Sequence, residues 1–178
     1  MILTSNELLE KLKEFEGLRL EAYEDATGVL TIGYGHTRGV RKGDKISEYC
    51  AEEYLRMDIE TAQHQVLQLG VCKTQGQLDA LVSFVFNLGI GKLKTSTLLK
   101  LIEAGFPSDS IQKEFRKWSH AGGKKLPGLL KRRRWEARRY FNDTPTLEDV
   151  KERLEAKEKG RDPNLVDDGF VPQGYCEA

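Results

Sequence analysis

Residues 16–37 read EGLRLEAYEDATGVLTIGYGHT, and this stretch decides the fold. Leu18, Leu20 and Ala22 alternate with Arg19, Glu21 and Tyr23, the period of a strand with one covered face. The run EDATG has turn residues, and the aliphatic, β-branched run at 29–32 reads as a return strand. The stretch is therefore a hairpin, expected to extend into a third short strand after Gly33, Gly35 and Gly39. Packing alone gives such a hairpin no use for a Glu at its entry, an Asp at its turn and a Thr on its return strand. Glu16, Asp25 and Thr31 are accordingly the first candidates for a site.

On the N-terminal side, Thr4 with Glu7 makes a capping box, and Leu8, Leu9, Leu12 and Phe15 recur at helical spacing until Gly17 stops the helix after Glu16. On the C-terminal side the pattern turns helical at Ser47, with Cys50, Ala51, Tyr54, Leu55, Ile59, Ala62, Val66 and Leu69 on one face. Thr74 and Gln77 can cap LDALVSFVFNLG, whose hydrophobicity on nearly all sides marks a central buried helix. KTSTLLKLIEAG, SDSIQKEFRKWSH and GLLKRRRWEARRYF read as three further helices, separated by GIGKL, FP and AGGKKLP. Only the early hairpin interrupts the helices, so the class is α+β and mostly helical, with a small N-terminal β-hairpin lobe and a larger helical lobe.

The division expected is a domain over 1–143 and a charged C-terminal extension over 144–178. In the extension, Thr146 and Asp149 can cap a marginal helix with a thin stripe of Leu147, Val150 and Leu154, and the remainder reads as a flexible end. The 178 residues carry 28 basic and 28 acidic side chains, so net charge argues for neither nucleic acid nor membrane. The balance is uneven: residues 1–143 hold 23 Lys/Arg against 19 Asp/Glu, and residues 144–178 hold 5 against 9. Cys50, Cys72 and Cys176 fit neither a zinc site nor a disulfide framework and read as free thiols. No signal-peptide pattern opens the chain and no run approaches a membrane span, so a soluble protein without its own export signal is expected.

The chemistry of the hairpin follows from where its carboxyls sit. Glu16 lies at a helix C-terminus, whose carbonyls disfavour negative charge, and desolvation by Phe15 and Leu18 would help to keep it protonated as a proton donor. Asp25 lies in a polar turn where ionisation is easy. Two carboxyls in contrasting environments are the pattern of glycosidases, one as acid and the other as base or charge stabiliser; the competing local reading is that Asp bonds turn amides and Glu favours helix, and spacing alone does not decide between them. The Thr31 hydroxyl both donates and accepts, so it can hold a water beside Asp25.

The run from Glu16 to Thr37 closely resembles the catalytic stretch of the phage T4-type lysozymes and endolysins, the muramidases of glycoside hydrolase family 24. Their Glu, an Asp nine positions on and a Thr six further are matched by Glu16, Asp25 and Thr31, within FEGLRL and GVLTIGYGHT. The likeness continues in AEEYLRMDIETA, DALVSFVFNLGIG and PGLLKRRRWEARRYF, and covers roughly residues 5–142. It implies a lysozyme-like, two-lobed fold with a cleft between the lobes. It also implies hydrolysis of the β-1,4 bond between N-acetylmuramic acid and N-acetylglucosamine of bacterial peptidoglycan. Glu16 would protonate the leaving oxygen, and Asp25 with Thr31 would position or activate water. Inversion would require carboxyls about 6.5 to 9.5 Å apart. No metal or organic cofactor is implied.

By the same resemblance His36 pairs with Asp58, and Thr37, Phe86 and Asn87 are candidate substrate-binding residues, with plain core packing the competing reading for Phe86. The basic run around 124–139 reads as a solvated helix face in which Glu136 pairs with Arg132 or Arg133, rather than a nucleic-acid site. Trp118 and Trp135 read as packing residues. The family role implies a monomer waiting in the host cytoplasm, without stable membrane insertion, until a separate pore-forming protein opens the way to the periplasm and wall. The alternative weighed is a lysozyme-like binding or structural module of a virion or secretion assembly.

Overall fold

The computed structural model describes residues 3–25, 27–142 and 144–159. Helix α1, Asn6–Glu16, buries Leu8, Leu9 and Leu12, and Gly17 ends it as expected. Its cap is Ser5 rather than Thr4: the Ser5 side chain accepts from the Leu8 amide at 3.2 Å. Asp79 explains the choice, because its carboxylate accepts from both the amide and the hydroxyl of Ser5, at 3.0 and 2.6 Å, and pins that residue at the helix start.

Strands β1, Arg19–Glu24, and β2, Leu30–Gly33, form the antiparallel hairpin, with Tyr23 opposite Thr31 and a register shift between Arg19 and Tyr23. The expected third strand is reduced to residues 44–46, joined to β1 by an isolated Glu21 to Lys45 bridge and two backbone bonds of 2.9 Å.

Helix α2, Glu48–Leu67, leads to the central helix α3, Gln75–Leu88, where every residue from Leu78 to Val85 is buried. The Thr74 and Gln77 capping box forms as read. Helices α4 (Ile90–Lys94), α5 (Thr97–Glu103), α6 (Ser108–Lys117) and α7 (Pro127–Phe141) follow; α4 and α7 pack on α3, α6 packs on α7, and α5 on α6. The AGGKKLP segment, read as a linker, carries a second small hairpin, β3 (His120–Ala121) and β4 (Lys124–Lys125), turning on Gly122 and Gly123. A glycine pair is a hairpin signal, and it was concealed because lysines rather than alternating apolar residues flank it. Helix α8, Leu147–Glu158, starts at the expected Thr146 and Asp149 box and puts Leu147 and Val150 into the main core. The expectation of a flexible end falls on residues outside those described.

Both tryptophans pack as expected, Trp135 against Phe15 and Trp118 against Phe84. Cys72 is free, and burial pushes its thiol up to about 12. Cys50 is disulfide-bonded, which corrects the expectation of a free thiol there, and Cys176 lies outside the described residues.

Candidate active site

Glu16 closes α1 and meets three other parts of the chain. Its Oε1 accepts from Nη1 of Arg132 on α7 at 2.5 Å. Its Oε2 has no hydrogen-bond partner among the described residues and lies beside Gly35, where an added Cβ would sit 3.8 Å away. Gly35 has φ +95°, a conformation that favours glycine, so the chain passes the carboxyl with nothing but backbone between them. The sequence expectation of an apolar setting therefore needs correction. Phe15 is adjacent, but its ring also faces the Arg132 guanidinium, 5.2 Å from the ring centre.

Asp25 sits in the turn between β1 and β2, as its polar surroundings suggested. Its Oδ1 accepts from the Thr27 amide at 2.8 Å, the Thr27 hydroxyl at 2.7 Å and the Val29 amide at 2.9 Å. The Thr27 hydroxyl, followed by the two amides, holds its carboxyl below the usual Asp range. These bonds converge on one oxygen, and no bond to Oδ2 is found among the described residues. Thr31 is buried on β2, and its hydroxyl donates to the Val29 carbonyl at 3.0 Å, which leaves lone pairs able to accept from water. Val29 thus bridges the two: its N–H donates to Asp25 and its carbonyl accepts from Thr31.

Thr37 and Phe86 come together as walls of one cavity of about 240 Å³, with Gly35, Asp58, Thr61 and Gln65. The loop carrying Thr37 is tied down by His36, whose Nδ1 lies 2.8 Å from Asp58 Oδ2 and whose Nε2 lies 2.9 Å from the Arg38 carbonyl oxygen. The ring also stacks on Tyr54 at 4.6 Å. Asn87 is differently engaged: its Oδ1 accepts from Arg133 Nη2 at 3.2 Å. Its amide nitrogen remains the group able to meet a ligand.

Sequence reasoning missed Arg132 as the partner of Glu16. Arg132, Glu136 and Arg139 follow helical spacing, i, i+4 and i+7, on the face of α7 that also buries Trp135 and Tyr140. That coincidence was the available signal, and it contradicts a wholly solvated basic face. The expected Glu136 pairings do form, with Arg133 at 2.7 Å and Arg132 at 3.4 Å, but in the interior. Among the described residues no group of three or more His, Cys, Asp or Glu could hold a metal, and no helix is long and apolar enough to cross a membrane.

The family described as Phage lysozyme matches residues 13–136. An endolysin of Acyrthosiphon pisum secondary endosymbiont phage 1 is 48% identical over 132 residues, covering 70% of this chain and 88% of the relative. An endolysin of Bacillus phage B103 is 46% identical over 132 residues, covering 70% of this chain but 49% of its own length, so the chain spans about half of that relative. Among solved structures, an endolysin from Escherichia coli O157:H7 phage FAHEc1 superposes with a TM-score of 0.68 at 38% identity, over 82% of this chain and 97% of that one. The mostly helical fold with its small antiparallel sheet is thus one this chain shares with that endolysin.

Proposed function

The chain belongs to the phage lysozyme family and is a peptidoglycan-degrading lysozyme, and on that premise we propose that it cuts the β-1,4 bond between N-acetylmuramic acid and N-acetylglucosamine with inversion. The observation that supports this reading is the state of Glu16: one oxygen is anchored by a buried guanidinium and the other is bare beside Gly35, at the edge of the cavity lined by Thr37 and Phe86. An anchored carboxyl with one free oxygen is what a general acid needs, because orientation is fixed while the reacting oxygen stays open.

In the proposed reaction the proton on Glu16 Oε2 passes to the glycosidic oxygen as the bond from that oxygen to C1 breaks. A water attacks C1 from the opposite face and its proton passes to Asp25 Oδ2. The hydrogen bonds that hold Asp25 ionised prepare it for that part, and the lone pairs of Thr31 orient the water. Solvent then restores the proton to Glu16 and removes it from Asp25. Thr37, Phe86 and the Asn87 amide bind the glycan. In this reading the enzyme is made in the host cytoplasm as a monomer and reaches the wall when a pore-forming protein breaches the inner membrane.

The test is turbidity clearing of outer-membrane-permeabilised Gram-negative cells by the wild-type chain and by Glu16→Gln, both checked for folding by circular dichroism. The variant should lose activity by about 10²- to 10⁴-fold. A folded variant that clears cells like the wild type would overturn the mechanism, as would a β-configured reducing end in the first product detected by NMR.

A further inference from the structure

Arg132 creates a difficulty for the proposed acid, since a guanidinium in contact with a carboxyl favours the ionised form over the protonated one. The groups behind Arg132 offset that pull. Its Nη1 holds Glu16, its Nη2 donates to the Ser83 carbonyl at 2.9 Å, and its Nε lies 3.4 Å from Glu136 Oε1. Glu136 and Arg133 are 0% exposed and Arg132 is 3% exposed. The same Glu136 oxygen accepts from the Ser83 hydroxyl and from Arg133 Nη2, each at 2.7 Å.

The charged surroundings are few. Glu136 faces Ser83 from α3 and the two arginines from its own helix, and Asn87 shares Arg133. Glu16 faces Arg132 from α7, Phe15 on α1 and Gly35 from the loop; its neighbour Glu14 is engaged outside with Lys11 and Lys131. Two buried cations therefore stand against one buried carboxyl and the catalytic candidate. With Glu16 ionised the group is neutral; with Glu16 protonated it carries one excess positive charge.

Resting on the reading of Glu16 as proton donor, we propose that Glu136 is a positioning residue acting through Arg132. Its charge fixes the guanidinium and counterbalances the two arginines, so that Glu16 can hold a proton in the pH range of catalysis. Remove that charge and a protonated Glu16 faces two uncompensated cations, which drives its proton off at lower pH. Burial pushes the Glu136 carboxyl upward, against the pull of Arg133, Arg132 and Ser83. Ionisation is nevertheless the form that neutralises a pair of buried guanidiniums.

The experiment is the pH profile of kcat/KM on purified peptidoglycan for the wild type, Glu136→Gln and Glu136→Asp. The alkaline limb should move to lower pH by about one unit in the Gln variant, a roughly tenfold loss at a pH on that limb, and should stay in place in the Asp variant. A uniform drop with an unmoved limb would mean a merely structural role and overturn the proposal. Should the Gln variant not fold, carboxyl ¹³C titration of the wild type decides: Glu136 must stay ionised while Glu16 titrates, and a Glu136 that takes up a proton over the same range refutes it. Failure of the wild type to hydrolyse peptidoglycan would instead count against the acid role of Glu16, and the titration would still report whether Glu136 is charged.

Discussion

Arg132 makes contacts that no other side chain could make together. Three of its nitrogens reach Glu16, the Ser83 carbonyl and the Ser83 hydroxyl, and its plane faces Phe15 and Phe86 at 5.2 and 6.0 Å. An ammonium has the charge without the fork, so Arg132→Lys should keep the fold but lose both Ser83 contacts and slow hydrolysis. Arg132→Ala should cost about 3 to 5 kcal/mol, because Glu136 would be left buried beside a vacated partner. Urea unfolding of both variants checks the order, and a Lys variant as stable and active as the wild type would show that the fork is unimportant. The residues that would contact substrate were legible in the sequence through the spacing of Glu16, Asp25 and Thr31 and the likeness around them. Arg132 was not, because a run of consecutive arginines has the composition of a solvated surface, and only tertiary contact with α1 and α3 shows which of them turns inward.

Among the elements, α3 packs along α7, and Gly76 at the start of α3 leaves no room for a side chain. A Cβ there would lie 2.5 Å from the Arg139 carbonyl oxygen and 3.0 Å from Thr144 Oγ1, which already accepts from the Gly76 amide at 2.9 Å. A backbone oxygen cannot swing aside as a side-chain tip can, so Gly76→Ala should push α7 away and cost about 1 to 3 kcal/mol despite the better helix propensity of alanine. A shift of the urea midpoint to higher concentration would overturn this. The same neighbourhood docks α8: the Leu147 amide donates to the Lys73 carbonyl at 2.9 Å, and the Gln75 amide to that of Pro145 at 3.0 Å. Local signals gave away the caps of α3 and α8 and the end of α1, since those depend on residues within one turn. The start of α1 and the small β3 and β4 hairpin escaped, one because Asp79 lies 74 residues from Ser5 and the other because its flanks carry charge instead of apolar alternation.

At the scale of the molecule, hydrophobic periodicity suffices for the class, because one apolar helix wrapped by amphipathic ones can bury its surface in few ways. The interior charges are what periodicity conceals, and they set the response to acid. Glu14, held by Lys11 and Lys131, is lowered to about 2; Glu52, held by Lys13 and Arg56, Asp25, held by Thr27 and Val29, and Asp149, held by Thr146, are also lowered. A lowered carboxyl contributes stability that is present above its ordinary value near about 4 and is lost as pH falls toward the folded one. Asp79 runs the other way: burial raises it, so its contribution is fullest in acid and declines as pH rises through the raised value. The first set is exposed or nearly so, and each of its members counts for little and is screened by salt. The Tm should therefore fall only gently from about pH 5 to about pH 3, and about 0.5 M salt should flatten that slope further, because it weakens surface pairs and leaves the buried ones intact. Calorimetry across that range is the check. A steep, salt-insensitive loss would mean that protonation breaks the interior network itself, with Asp79 acting as a charge the fold cannot do without.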